Sequence, residues 1–203
     1  EEPVHTVSVD PFQLADTPVT CWQYGLYCLA TGRPLPRDAG FGRGSRPVVN
    51  VSWYEAVVYA NWLSQQHNLS PVYELPEIPA DPNDLHQKGV DWDSITHWEA
   101  DGYRLPTEAE WEFAASAKIE KTFFGGTKIK KWRFGNGKDV ASPDEINFDA
   151  SSGSNDYAIK RGWMSRIRKD KFRAASTPVK EFEKSNQNPF GLHDMSGNVY
   201  EWC

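Results

Sequence analysis

The sequence predicts an α+β fold with little regular secondary structure, a few short helices set among long turn-rich segments. Three observations predict it. Two stretches, Ser52-Trp53-Tyr54-Glu55 and Thr107-Glu108-Ala109-Glu110, have the spacing in which a hydroxyl caps a helix and a carboxylate reaches back to the cap. Fifteen glycines and fourteen prolines are scattered along the 203 residues rather than gathered in one linker. Nine Trp, eight Tyr and ten Phe supply the packing area that a loop-rich chain needs.

Taken in order, residues 4–14 alternate well enough for a strand. Thr20 is placed to cap a helix over 21–30 that stops at Thr31-Gly32, with Tyr24, Tyr27, Cys28 and Leu29 as its buried stripe. Residues 32–47 form a Gly/Pro/Arg loop. The Ser52 box opens a helix running to Gln66, with Trp53, Ala56, Val57, Ala60 and Leu63 inward. Residues 76–102 read as a polar surface insertion. The Thr107 box opens a third helix ending near Ser116. From Phe123 to Ser185 turns dominate, and the basic run Lys160–Arg173 reads as a solvated loop. The expected core includes Trp53, Leu63, Trp111, Phe113 and Trp202.

The length fits one domain, 1–203. A net charge of −6 argues against a sequence-independent grip on nucleic acid. Cys21, Cys28 and Cys203 are an odd number, so they cannot close a full disulfide framework. No apolar run reaches membrane-spanning length. There is no Cys-x-x-Cys, no His-Glu-x-x-His and no phosphate-cradling glycine loop.

Four stretches then have to be read together: Pro18-Val19-Thr20 before the first helix, Arg46-Pro47-Val48-Val49-Asn50-Val51-Ser52-Trp53-Tyr54-Glu55-Ala56, Tyr103-Arg104-Leu105-Pro106-Thr107-Glu108-Ala109-Glu110-Trp111-Glu112, and Phe190-Gly191-Leu192-His193-Asp194-Met195-Ser196-Gly197-Asn198-Val199-Tyr200-Glu201-Trp202. Their wording and order resemble the formylglycine-generating enzyme, or sulfatase-modifying factor, family. The resemblance spans nearly the whole chain and implies a C-type-lectin-like fold. In the oxidase members a copper-binding cysteine pair follows the Gly-Asn-x-x-Glu-Trp motif. Here that motif is followed by Cys203, so the resemblance assigns no catalytic residue in this sequence, and it implies a C-terminally incomplete domain. Cys203 could be a nucleophile only beside a base or cation that makes it a thiolate; a structural thiol is the other reading.

The resemblance also implies calcium. Asp194 and Glu201 bracket a glycine-containing turn, and the family pattern places a cation there on the Asp194 and Glu201 side chains and the Gly197 and Val199 carbonyls. Hard oxygens of this mixed kind are what calcium takes. The alternative is that Glu201 caps or forms a salt bridge in the core. A second site is implied at Asn147, Phe148, Asp170 and Phe172, although Lys171 replaces the family's glycine and the surrounding loop is basic. Structural calcium is thus the one cofactor expected.

Two functions follow. The first is a non-catalytic binding domain for a protein or other surface ligand, possible in a retroelement-diversified variable protein, where exposed rings give contact area at low entropy cost. It goes with an extracellular or cell-surface location and a monomer. The second is a formylglycine-generating oxidase or a sulfoxide-synthase-like enzyme. Fold alone does not separate them.

Overall fold

The computed structural model describes residues 6–75, 95–149, 173–182 and 187–203. Three helices and one hairpin are its regular elements: α1 (Cys21–Thr31), α2 (Trp53–Gln66), α3 (Glu108–Ser116), β1 (Ala117–Lys121) and β2 (Thr127–Lys131). All three helices begin with a capping box. In α1 the Thr20 hydroxyl accepts from Gln23 N–H at 3.3 Å while the Gln23 amide oxygen accepts from Thr20 N–H at 2.8 Å. The sequence reading had Thr20 as a cap without its Gln23 partner. Gly32 closes α1 in the left-handed region at φ 68°.

The helices meet through rings. Tyr24 and Tyr27 of α1 pack on Tyr59 and Trp62 of α2, with centroids 5.2 to 5.5 Å apart across the two helices. A second cluster joins Val57 and Ala60 to Val72 and Tyr73. A third joins Ala114 and Ala115 of α3 to Leu192 and Met195, which seats the C-terminal segment on α3.

Several expectations need correction. Leu29 is 82 % exposed. Tyr24, Tyr27 and Cys28 already fill the face that α1 turns to α2, and Leu29 lies about 100° further round the helix. Trp202 is 42 % exposed, and Trp53, Leu63, Trp111 and Phe113 are half-buried. The Trp202 indole N–H donates to Val51 O at 2.9 Å, so a polar contact, and not burial, anchors it. Residues 6–14 of the expected first strand form no strand. Conversely, β1 and β2 form an antiparallel hairpin where the sequence reading saw the end of a helix and then turns. Its lysine-rich strands carry a single isoleucine each, too few apolar positions for the alternation on which strand recognition depends.

Candidate metal and ligand site at the C-terminal turn

Residues 188–203 cross the domain as a series of turns held by side-chain amides. Asn188 Nδ2 donates to Ala114 O at 2.7 Å, and its Oδ1 accepts from Phe190 and Leu192 N–H. This fixes the chain beside α3. Asp194 follows, 2 % exposed, with a positive φ of 60°. Its Oδ2 accepts from Lys180 N–H at 3.2 Å. The Lys180 ammonium is turned to Asp16 instead, at 2.7 Å.

Gly197 and Asn198 then take φ of 79° and 67°. The bend puts Asn198 N–H on Asn147 O at 2.8 Å. Asn198 Oδ1 accepts from Thr177 N–H at 2.8 Å and from Asn147 Nδ2 at 3.2 Å, and Asn147 Nδ2 also donates to Ala175 O. The two segments expected to hold cations therefore lie against each other. Asn147 of the second set touches the Gly197 turn of the first, with half-buried Phe148 beside it. Asp170 and Phe172 lie outside the described residues. Asn198 is the organising residue that the sequence reading missed. Its signal was the Gly-Asn pair, since asparagine enters the left-handed region more readily than other side chains.

Glu201 meets no basic side chain among the described residues; the Trp111 indole N–H donates to its Oε2 at 3.1 Å. Over the whole residue Glu201 counts as exposed, yet its carboxyl end lies among protein atoms. That burial, and then the nearby charge of Asp194, push its pKa up, while the Trp111 bond lowers it.

The residues fit a hard cation in kind. Two carboxylates repel one another, and one of them is disfavoured as an anion by burial. Ser176, between the two residues that bind Asn147 and Asn198, has a buried hydroxyl without a hydrogen-bond partner among the described residues. Among the described residues no three His, Cys, Asp or Glu side chains gather. A cation here would therefore draw most of its oxygens from carbonyls and water. The Gly197 oxygen already accepts from Val199 N–H at 2.9 Å, and a carbonyl has a second lone pair to offer.

The thiols point away from nucleophilic chemistry. Cys21 and Cys28 are buried, with Sγ on Pro47 O and Pro34 O at 3.5 Å. Burial raises both pKa values. Cys203 is raised as well, first by desolvation and then by the charges of Glu201 and Glu108. Meanwhile α1 turns Trp22, Leu26 and Leu29 to solvent. A groove of about 330 Å³ lies beside them, lined by Trp22, Gly25, Leu26, Leu35 and Arg43.

The profile of the sulfatase-modifying factor enzyme 1-like domain matches residues 1–203. A protein named chaperone protein LppX, from Paenibacillus barcinonensis, is 34 % identical over 167 residues, covering 81 % of this chain and 54 % of its own length. A formylglycine-generating enzyme of Streptomyces coelicolor is 28 % identical over 218 residues, covering 100 % of this chain and 60 % of its own. Among solved structures, Treponema denticola variable protein 1 superposes with a TM-score of 0.51 at 28 % identity, over 93 % of this chain and 60 % of that one. The crystal structure of CarF gives 0.57 at 28 % identity, over 92 % and 66 %. The chain thus spans between half and two thirds of the length of each.

Proposed function

The chain belongs to the sulfatase-modifying factor enzyme 1-like family, with its C-type-lectin-like fold, and from that premise we propose that it is a non-catalytic ligand-binding domain. The observation that carries this reading is the disposition of thiols against rings. Cys21 and Cys28 are buried against the Pro47 and Pro34 carbonyls, and exposed Cys203 has the carboxylates of Glu201 and Glu108 nearby, so each is held toward the neutral thiol, whereas nucleophilic and metal-bound cysteines are thiolates. Large apolar side chains, among them Trp22 at 70 % and Tyr200, fully exposed, are spent on the surface instead. The likenesses to a variable protein and to a chaperone protein support binding; the likeness to a formylglycine-generating enzyme supports the oxidase reading.

The test is direct. The purified chain is incubated with a cysteine-containing sulfatase peptide, copper and oxygen, and the peptide is weighed by mass spectrometry. No formylglycine is expected. Formylglycine product that disappears in Cys203→Ser would overturn the binding reading and make Cys203 a reactive thiol.

The same reading includes a structural calcium at the C-terminal turn, held by Asp194 and Glu201 with the Gly197 and Val199 carbonyls. The bound ion would supply charge neutralisation and nothing else. Asn147 would stiffen the turn from behind. At a hundredfold excess over its dissociation constant such an ion adds about 2.7 kcal/mol, so a chelator should lower Tm.

Glu201 gives the sign. Without metal its raised pKa means that the folded chain binds more protons than the unfolded one above the ordinary carboxylate range. Stability contributed by the protonated carboxyl is present at low pH and is lost as pH rises through the raised value. Glu201→Gln should therefore be neutral or stabilising in chelator, yet insensitive to added calcium. A wild-type melting curve unmoved by calcium and chelator alike would sink the metal assignment.

A further inference from the structure

The hairpin β1–β2 has no role in the site just described, and its composition is unlike the rest of the chain. From Ala117 to Arg133 it carries Lys118, Lys121, Lys128, Lys130, Lys131 and Arg133 against the single acid Glu120, in a protein of net charge −6. Glu120 pairs with Lys118 at 3.4 Å. Among the described residues no ion pair engages Lys121, Lys128, Lys130 or Lys131. Lys118 and Lys130 face each other directly across the ladder, an arrangement that destabilises an isolated hairpin. The register places Ile119 opposite Ile129, and both are more than half exposed. Every residue from Lys121 to Lys131 is exposed.

The tip is tighter and more apolar than a solvated turn requires. Thr122 N–H donates to Gly126 O at 2.8 Å and Gly125 N–H to Thr122 O at 3.0 Å, with Gly125 at φ 81°. This closed turn displays Phe123 and Phe124, which are 98 % and 94 % exposed, with their rings 5.5 Å apart at 88°. With a rise of about 3.3 Å per residue, the five-residue strands carry these rings roughly 15 Å beyond Ala117. Two rings lead, and a collar of lysines follows them, with the Lys130 ammonium over the Trp132 ring at 5.0 Å.

We propose that this hairpin docks the protein onto an anionic phospholipid bilayer, with Phe123 and Phe124 entering the acyl boundary and the lysines lying at the phosphates. The order of groups along the hairpin carries the choice of occupant. An interfacial membrane anchor needs apolar rings at the leading end and cations one headgroup layer behind. A groove on an acidic protein would instead ask for an apolar face along the strands. Here the side of the ladder with Lys118, Glu120, Lys128 and Lys130 is charged throughout, and the other side interrupts its isoleucines with Lys121 and Lys131. This is surface attachment; no helix among the described residues is long and apolar enough to cross a membrane.

The test is co-sedimentation of the full chain with vesicles of phosphatidylcholine alone and with about one third phosphatidylglycerol, at low and high salt. Binding should require the anionic lipid and weaken with salt. Phe123→Ser with Phe124→Ser should reduce it at least tenfold. Lys128→Gln, Lys130→Gln and Lys131→Gln together should reduce it by roughly fivefold per lysine. All these side chains are exposed, so Tm should not move. A separate Phe124→Trp variant should shift its emission to the blue when anionic vesicles are added. Absence of binding to anionic vesicles, binding that both multiple variants retain, or an unshifted tryptophan would each overturn the proposal. So would displacement from the vesicles by polyglutamate or by single-stranded DNA at equal charge concentration, which would make the hairpin a general polyanion site.

Discussion

Glu110→Ala should destabilise the domain by about 3–5 kcal/mol, the range seen when one partner of a buried ion pair is removed. Its carboxylate, with the side chain 10 % exposed, performs two tasks. Oε1 accepts from Arg104 Nη2 at 2.6 Å and Oε2 from Arg104 Nη1 at 2.7 Å, a two-point contact. Oε2 also accepts from Thr107 N–H at 2.8 Å and so completes the α3 capping box. Arg104 is placed by its bond to Leu105 O and by the Trp98 ring at 5.4 Å. Removing Glu110 opens the helix start and strands a half-buried guanidinium together. Glu110→Gln keeps an acceptor for the cap and loses only charge, so its loss should be smaller. Arg104 is also the main reason why the Glu110 pKa is lowered. A depressed carboxylate contributes stability that is fully present above the unfolded value of about 4.3 and is lost as pH falls through the folded value. Urea denaturation at pH 7 and pH 3 measures both effects. A loss below about 1 kcal/mol for Glu110→Ala at pH 7 would mean that solvent screens the pair.

The helices were legible in the sequence because each starts on a local device. Ser52 with Glu55 and Thr107 with Glu110 are separated by a fixed spacing, and both bonds form at that spacing. The family was legible for a related reason: its motifs are these caps and the C-terminal turn, where many residues are constrained at once. What was not legible depends on long-range partners. Leu29 has the periodicity of a core residue, but α1 turns it to solvent. Trp202 sits in a highly specific motif and still remains partly open, its indole on the distant Val51 carbonyl. The hairpin has only one isoleucine per strand to announce it, and its pairing is set by the Thr122–Gly126 turn. At the candidate site Asp194, Gly197, Val199 and Glu201 could be picked out as one local stretch. The convergence of Asn147 with Asn198, 51 residues apart, was not legible, because it depends on how two distant turns pack together.

Gly197→Ala should cost about 2–4 kcal/mol, while Gly32→Ala should cost about 1 kcal/mol, although both glycines have nearly the same backbone. Gly32 ends α1 at φ 68° and Gly197 bends the C-terminal turn at φ 79°. An alanine at either pays the left-handed strain, of order 1 kcal/mol. Around Gly32 there is open space, so strain is the whole cost. At Gly197 an added methyl would run into the Asn147 carbonyl oxygen and meet Ile146 Cγ2 at 3.0 Å. Relieving that overlap must push Asn147 O away from Asn198 N–H, and a further 1–3 kcal/mol goes with such overpacking. The difference between the two variants isolates the packing of the turn on residues 146 and 147 from its backbone conformation. Thermal melts in chelator measure it without any metal contribution. Equal losses for the two alanines would show that the Gly197 turn does not rest on Asn147 in solution. If the losses differ as expected, repeating the melts with calcium separates turn from ion: a displaced Asn147 and a shifted Gly197 carbonyl should blunt the calcium response of Gly197→Ala, whereas Gly32→Ala should keep the full wild-type increment.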